Sequence, residues 1–296
     1  MTLRILVTGA SGILGRQLQR LRPAELDLVA LSHSDLDVTS RADTLRIVEG
    51  VRPDVVIHGA ALTDVDGCEA RPEEAFRVNW VGTANVAEAC ERTGAVPVYL
   101  STDYVFDGET DKDYLEHDPV RPLSVYGRSK WCGEQAILQR CRRFYIVRTQ
   151  WVFGPFGRNF VDTMLAIEAE GKPLRVVADQ RGCPTYAADL AEGIFRLIER
   201  EPGYGIYHLS SRGEASWFEF ARAIFAETGR RADLSSCTSA DCPRPAKRPR
   251  RSVLRNFHLE LTIGDFMPTW VEGLRRYLRE YPCSPKPPTE GTGVLR

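Results

Sequence analysis

Residues 4–20 read RILVTGASGILGRQLQR. The stretch opens as a short apolar run, meets glycine at Gly9, and continues with helical spacing. Gly9, Gly12 and Gly15 stand at three-residue steps between the expected first strand and first helix. Glycine lets the backbone turn tightly and approach a pyrophosphate, and the helix N-terminus then offers free N–H groups and a positive dipole end to the phosphate charge. The spacing differs from the G-x-G-x-x-G dinucleotide fingerprint, so its weight comes from what surrounds it.

What surrounds it is a strand–helix alternation. LDLVAL (26–31) is a second short apolar run, RADTLRIVEGVRP (41–53) a helix, DVVIHGAA (54–61) a strand. RPEEAFRVNWVGTANVAEACERTG (71–94) reads as one long helix, AVPVYLST (95–102) as a strand, PLSVYGRSKWCGEQAILQRC (122–141) as a helix, FYIVRT (144–149) as a strand. The strands are apolar on both faces, as in a parallel sheet covered on both sides. The expected fold is α/β, a Rossmann-type doubly wound parallel sheet with a smaller C-terminal α/β part. The expected division is 1–155 for a dinucleotide-binding domain and 156–283 mainly for a substrate domain. Some segments of the latter return to the first domain, and 284–296 form a disordered tail, its onset already marked by the prolines that follow Tyr281.

Composition excludes several function classes. The 296 residues carry 39 Lys+Arg against 40 Asp+Glu, a net charge of -1, which argues against a nucleic-acid coat. The start lacks the apolar run of a signal peptide, and no stretch is long enough to span a bilayer. A cytoplasmic protein that binds neither nucleic acid nor membrane is expected. The eight cysteines include no CxxC pair, and the nearest two, Cys237 and Cys242, have no accompanying histidine cluster. They read as reduced thiols, with no metal site expected.

The second strand ends at Ser32, His33 and Ser34 rather than at an acid. An acid there would hold the ribose 2′-hydroxyl and repel a 2′-phosphate, so its lack favours NADPH with NADH still permitted. Arg16 is placed to meet the extra phosphate, and Asp37 to meet the adenine. In YGRSK (126–130), Tyr126 and Lys130 share a helix face, about 6 Å of rise apart. A phenol near its reference value of about 10 is a slow acid at neutral pH. A neighbouring ammonium is expected to lower it, and the same lysine to hold a ribose hydroxyl. Ser101 and Thr102 end the fourth strand at the carboxyl edge, where ligands bind in such sheets, and offer a hydroxyl to orient a carbonyl.

TGASGILG, STDYVFDG and YGRSK resemble the extended short-chain dehydrogenase/reductases. DVVIHGAALTDVDGCE, FRVNWVGTANVAEA, VRTQWVFGPFGRNFVDTML, VVADQRGCPTYAADLA, GIYHLSSRGEASWFEFA and RPAKRPRRSVL narrow the likeness to the dTDP-4-dehydrorhamnose reductases, from about residue 3 to about 280. The resemblance implies hydride transfer from a nicotinamide to C4 of a dTDP-4-keto-6-deoxyhexose. Tyr126 would supply the proton, Lys130 would tune it, and Thr102 would hold the C4 oxygen. It implies a cofactor set of Gly9, Ser11, Gly12, Ile13, Leu14, Gly15, Arg16, Asp37, Val38, Ala60, Ala61, Thr63, Tyr126 and Lys130. The implied substrate set is Thr63, Val65, Thr102, Asp103, Tyr104, Tyr126, Trp151 and Arg248, the last at the diphosphate.

The chain departs from the family pattern at His58, where asparagine is usual, at Gly59, where alanine is, and at Gln150, where serine is frequent beside the sugar pocket. Gln17 replaces the acid through which some members bind a dimer-bridging metal, so monomer or homodimer without metal is expected. Other readings stay open: a related 4-ketoreductase of a different deoxysugar pathway, an epimerase that retains its NAD, or a non-catalytic subunit resembling the β subunit of methionine adenosyltransferase.

Overall fold

The computed structural model describes residues 2–282. In chain order the first half comprises β1 (Arg4–Thr8), α1 (Ile13–Arg20), β2 (Asp27–Leu31), α2 (Arg41–Val51), β3 (Val55–His58), α3 (Val65–Ala70), α4 (Pro72–Phe76), α5 (Thr83–Thr93), β4 (Val96–Thr102), α6 (Val125–Arg140) and β5 (Tyr145–Thr149). There follow β6 (Val152–Phe153), α7 (Phe160–Ala169), β7 (Leu174–Val177), β8 (Arg181–Gly182), β9 (Thr185–Tyr186), α8 (Ala187–Arg200), β10 (Gly205–His208), β11 (Ala215–Ser216), α9 (Trp217–Thr228), β12 (Leu234–Cys237), α10 (Phe257–Thr262) and α11 (Trp270–Glu280).

Six strands form one parallel sheet in the order β10-β5-β4-β3-β1-β2. The doubly apolar strands have the cause expected. Ile5 and Val7 of β1 face a cluster with Leu18 of α1 and Leu190 and Ile194 of α8. Leu6, between them, faces the opposite layer with Leu45 and Val48 of α2 and Val86 of α5. Each such side chain contributes about 1.5–3 kcal/mol on burial, so a one-residue slip of β1 would forfeit both layers. The chain leaves β1 for β2 on one side and reaches β3 on the other. The carboxyl ends of β1 and β3 therefore flank a switch point, where such sheets take ligands.

After β5 the chain builds a second packing centre. Val161, Met164 and Leu165 of α7 meet Leu174 and Val176 of β7, Phe220 and Ile224 of α9, and Leu274 and Tyr277 of α11. Three segments return to the first sheet: β10 pairs with β5, α8 packs beside α1, and α10 packs on β10.

Two expectations need correction. Residues 72–93 are one continuous helical run as expected, but not α-helical throughout: a π-helical turn over Arg77–Gly82 is set between α4 and α5. There Gly82 presses on Val38, whose Cγ2 would lie 2.7 Å from an added Cβ, and Asn79 turns inward. Tyr281, expected at the onset of a loose tail, is packed: its ring lies 6.0 Å from Phe156, and the Arg20 guanidinium lies over it. Residues 283–296 lie outside the described part. Among the described residues no helix is long and apolar enough to cross a membrane.

Candidate active site

The glycine turn is built by two glycines and left open at the third. Gly9 has φ +69, and a Cβ on it would lie 2.6 Å from the Ala60 nitrogen. A Cβ on Gly15 would lie 2.6 Å from the Ala10 Cα. Both close the β1–α1 corner against the chain. Gly12 is different: its Cβ would meet nothing nearer than the Gly9 oxygen at 3.4 Å. Its bare face looks outward at the N-terminus of α1, which no side chain caps. That is the free anion-facing end a pyrophosphate needs, with Ser11, Ile13 and Leu14 around it. Arg16 is exposed beside the turn, its Nε donating to the Ser11 carbonyl at 3.1 Å and its guanidinium lying over the Phe156 ring. Asp37 is exposed and accepts from the Thr39 nitrogen at 2.9 Å. Val38 is buried in the helical layer beneath.

The loop after β3 links this turn to α6. Ala60 donates its N–H to Thr8 Oγ1 at 3.3 Å, and Ala61 is half-buried next to it. The inward Asn79 receives the Leu62 N–H at 2.8 Å and donates to the Leu62 carbonyl and to Ser129 Oγ, the latter at 2.9 Å. One amide thus ties the 60–63 loop to the residue before Lys130.

The first turn of α6 is capped by Ser124, which accepts from the Gly127 nitrogen. A Cβ on Gly127 would stand 2.2 Å from the Tyr104 carbonyl, so the helix is pressed onto the end of β4. That approach brings Tyr126 edge-on to Tyr104, ring centroids 5.6 Å apart. The strand pleat separates the two candidate hydroxyls. Ser101 points into the core, donating to Glu134, while Thr102 donates to Asp103 Oδ1 and accepts from the Tyr104 nitrogen. Only Thr102 serves the Tyr126 side.

Burial dominates the electrostatics. Desolvation pushes the Tyr126 phenol up, and a hydrogen bond with Thr102 opposes it without prevailing. This corrects the expected lowering by Lys130. The Lys130 ammonium lies 4.2 Å from the Tyr99 ring centroid, and burial lowers it to about 7, Glu134 opposing. Glu134 is itself held by Arg148 at 2.7 Å, both almost fully buried. Asp103, buried with Ser252 and Thr102 as partners, is pushed up to about 7.

A cavity of about 330 Å³ adjoins these groups, and Thr63, Tyr104, Trp151 and Arg248 line it together. Trp151 sits at φ +46 with its ring stacked on Trp217, centroids 3.6 Å apart and planes 8° apart. Gly182 makes room for it, since a Cβ there would lie 2.5 Å from the indole. Arg248 bonds Asp66 through both guanidinium nitrogens, at 3.0 and 3.1 Å. Val65, at the start of α3, is not part of that wall. Nor is Gln150: it is buried, donating to Ser210 Oγ and accepting from the Cys183 nitrogen. Asn159, Phe160, Trp217, Arg158, Arg175 and Arg244 line the cavity and were not singled out from sequence. The GRNF segment and the polar–basic stretch after Cys242 were the available signals.

A family model for the RmlD substrate binding domain matches residues 3–283. The chain belongs to this family, that of the dTDP-4-dehydrorhamnose reductases. Among relatives it is 38% identical over 284 residues to "dTDP-4-dehydrorhamnose reductase" of Sinorhizobium fredii (strain NBRC 101917 / NGR234), covering 93% of this chain and 96% of the other. It is 39% identical over 296 residues to "Probable dTDP-4,6-dihydroxy-2-methyloxan-3-one 4-ketoreductase" of Streptomyces antibioticus, covering 97% and 98%. The solved dTDP-4-dehydrorhamnose reductase from Bacillus anthracis str. Ames, in complex with NADP, superposes with a TM-score of 0.92 at 40% identity, covering 95% of this chain and all of that one. The family's members thus differ in the sugar named at nearly equal identity to this chain.

Proposed function

We propose that the protein reduces the C4 ketone of a dTDP-4-keto-6-deoxyhexose with NADPH, dTDP-4-dehydrorhamnose being the substrate and dTDP-L-rhamnose the product. The observation that carries this reading is Tyr126 held edge-on to Tyr104 and hydrogen-bonded with Thr102, beside an aromatic–arginine cavity and in the same chain as an uncapped, outward-facing glycine turn. The residues fit the dinucleotide. Gly12 leaves the space a Cβ would fill, and the uncapped N-terminus of α1 supplies donors for the pyrophosphate. Ala60 and Ala61 would pass close to the cofactor's phosphate and ribose, Thr63 would stand near where cofactor and sugar meet, and Arg16, exposed beside the turn, would meet a 2′-phosphate. When bound, the cofactor supplies the hydride.

The chain's own residues do the rest. With its hydroxyl hydrogen turned from Asp103 to the sugar, Thr102 orients the C4 oxygen, and Tyr126 gives that oxygen a proton as negative charge develops there. Because burial keeps the phenol protonated, Tyr126 enters the reaction as an acid and not as a base. Lys130 holds a ribose hydroxyl. Tyr104 and Trp151 flank the sugar, and Arg248, fixed by Asp66, faces the diphosphate. Segments 156–283 serve mainly the sugar nucleotide, apart from the returning α8, β10 and α10.

The test is absorbance-monitored NADPH oxidation with enzymatically made dTDP-4-keto-6-deoxy-sugar, run beside Tyr126→Phe. Oxidation should require the sugar, and the variant should lose roughly 10²-fold or more in turnover while still binding NADPH. Near-normal turnover in the variant would remove Tyr126 as the donor.

A second reading differs only in the sugar: a 4-ketoreductase of another dTDP-deoxysugar. The comparable identity to the Streptomyces antibioticus relative favours it. Product stereochemistry by NMR decides between the two.

A further inference from the structure

Cys237 ends β12, and Cys242 follows across a four-residue turn. Their sulfurs lie 3.2 Å apart. The turn is fixed from both sides. Thr238 donates to Asp241 Oδ2 through its nitrogen and its hydroxyl, at 2.9 and 2.8 Å. Ser239 donates to Asp179 through both of its groups, and Gln180 donates to the Ser239 hydroxyl at 2.9 Å. The nearness of the sulfurs is therefore set by the fold. Cys237 is buried, whereas Cys242 is partly exposed and lines the cavity beside Arg244 and Arg248. The proposed reduction uses neither thiol.

We propose that Cys237 and Cys242 form a redox modification site, oxidised by a low-molecular-weight disulfide of the glutathione type to a reversible disulfide in the cavity wall. To reach a bond of about 2.0 Å the sulfurs close by roughly 1 Å, which a side-chain rotation supplies. The Cys242 thiolate attacks one sulfur of the small disulfide, breaking its S–S bond and releasing one thiolate. The Cys237 thiol then loses its proton and attacks the Cys242 sulfur, expelling the second small thiol. Two protein thiols lose two electrons and two protons, and one small disulfide becomes two thiols. Access fixes the order, since only Cys242 opens to the cavity. Burial and the adjoining Cys242 also push the Cys237 thiol up to about 11, which makes it the resolving partner.

The bond would pin Cys242 and, two residues on, Arg244 at the cavity's edge. This consequence rests on the sugar-nucleotide reading of the cavity; the bond itself does not.

The test uses the full chain with oxidised glutathione, followed by alkylation and trypsin. Residues 232–247 form one tryptic peptide, because Arg244 precedes a proline, and that peptide holds both cysteines. The expected result is a peptide lighter by two hydrogens that takes no alkyl group and regains two after dithiothreitol. Alkylation of both cysteines after oxidation would overturn the proposal, as would a glutathione adduct persisting on Cys242 beside a free Cys237. In Cys237→Ser, whose site lies off the cavity wall, the reaction should stop at the Cys242 mixed disulfide. An unmodified Cys242 there would overturn the order of attack. Oxidised and reduced protein should differ several-fold in KM for the keto-sugar nucleotide but not for NADPH. Equal values would overturn the link between bond and cavity. Failure of the ketoreductase reading leaves the peptide map unaffected, so the two failures are distinguishable.

Discussion

His58 shows how a departure from a family pattern is absorbed. Thr83 gives its hydroxyl hydrogen to the Asn79 carbonyl at 2.7 Å, so it must accept from His58 Nε2–H at 3.1 Å. Nδ1 then accepts from the Thr8 hydroxyl at 2.7 Å. Both ring nitrogens are used and the ring is neutral, held down to about 3 by burial and secondarily by the Lys130 charge. The sign follows. The unfolded chain takes up this proton below about 6.5 and the folded one only near 3, so His58 costs stability as pH falls through that window. His58→Asn should flatten the loss of urea stability between neutral pH and pH about 4, by up to about 1.4 kcal/mol per pH unit. Parallel slopes in the two proteins would sink this account. Sequence could not tell this histidine from a site residue, because its two hydroxyl partners come from positions 50 and 25 residues away. The same blindness placed Gln150 beside the sugar. The nearness of Tyr126 to Thr102 was legible because its signals are local: a helix face and a strand end.

At the scale of elements, the three glycines of the β1–α1 corner are not equivalent. Gly9→Val and Gly15→Val would drive a side chain into backbone and destabilise the fold by about 1–3 kcal/mol or more. Gly12→Val brings its Cβ to ordinary contact with the Gly9 oxygen, 3.4 Å away, at an ordinary φ of -73, so the protein should fold with a melting temperature near that of the parent. NADPH affinity should nevertheless fall by roughly tenfold or more, because the valine fills the pyrophosphate's approach. Fluorescence titration beside thermal melts checks this; unchanged affinity in a folded Gly12→Val would refute the nucleotide turn. The alternation of strands and helices was readable because both faces of each strand are apolar. The π-turn over Arg77–Gly82 was not, since local spacing carries no mark of it and the neighbour of Gly82 there is the distant Val38.

For the molecule as a whole, the cavity depends on segments far apart in sequence. Asp66 on α3 fixes Arg248 across 182 residues. Asp66→Ala would leave this arginine without its bidentate partner and should raise KM for the keto-sugar nucleotide by roughly tenfold, with KM for NADPH unchanged. Steady-state kinetics with each substrate varied in turn would show it, and equal effects on both would point to general loosening instead. The cavity's aromatic wall was only half visible in sequence: Trp151 stood at a strand end, while Trp217 arrives from α9 after a long excursion of the chain.

That stacked indole pair has a spectroscopic consequence. Two transition dipoles held nearly parallel within van der Waals contact couple, and the protein carries an optical reporter in the wall of its own cavity. Near-ultraviolet circular dichroism should contain a paired signal that Trp217→Phe abolishes, and a ligand that parts the rings should change it in proportion to occupancy. A spectrum indifferent to that substitution would mean that the rings do not stay stacked in solution.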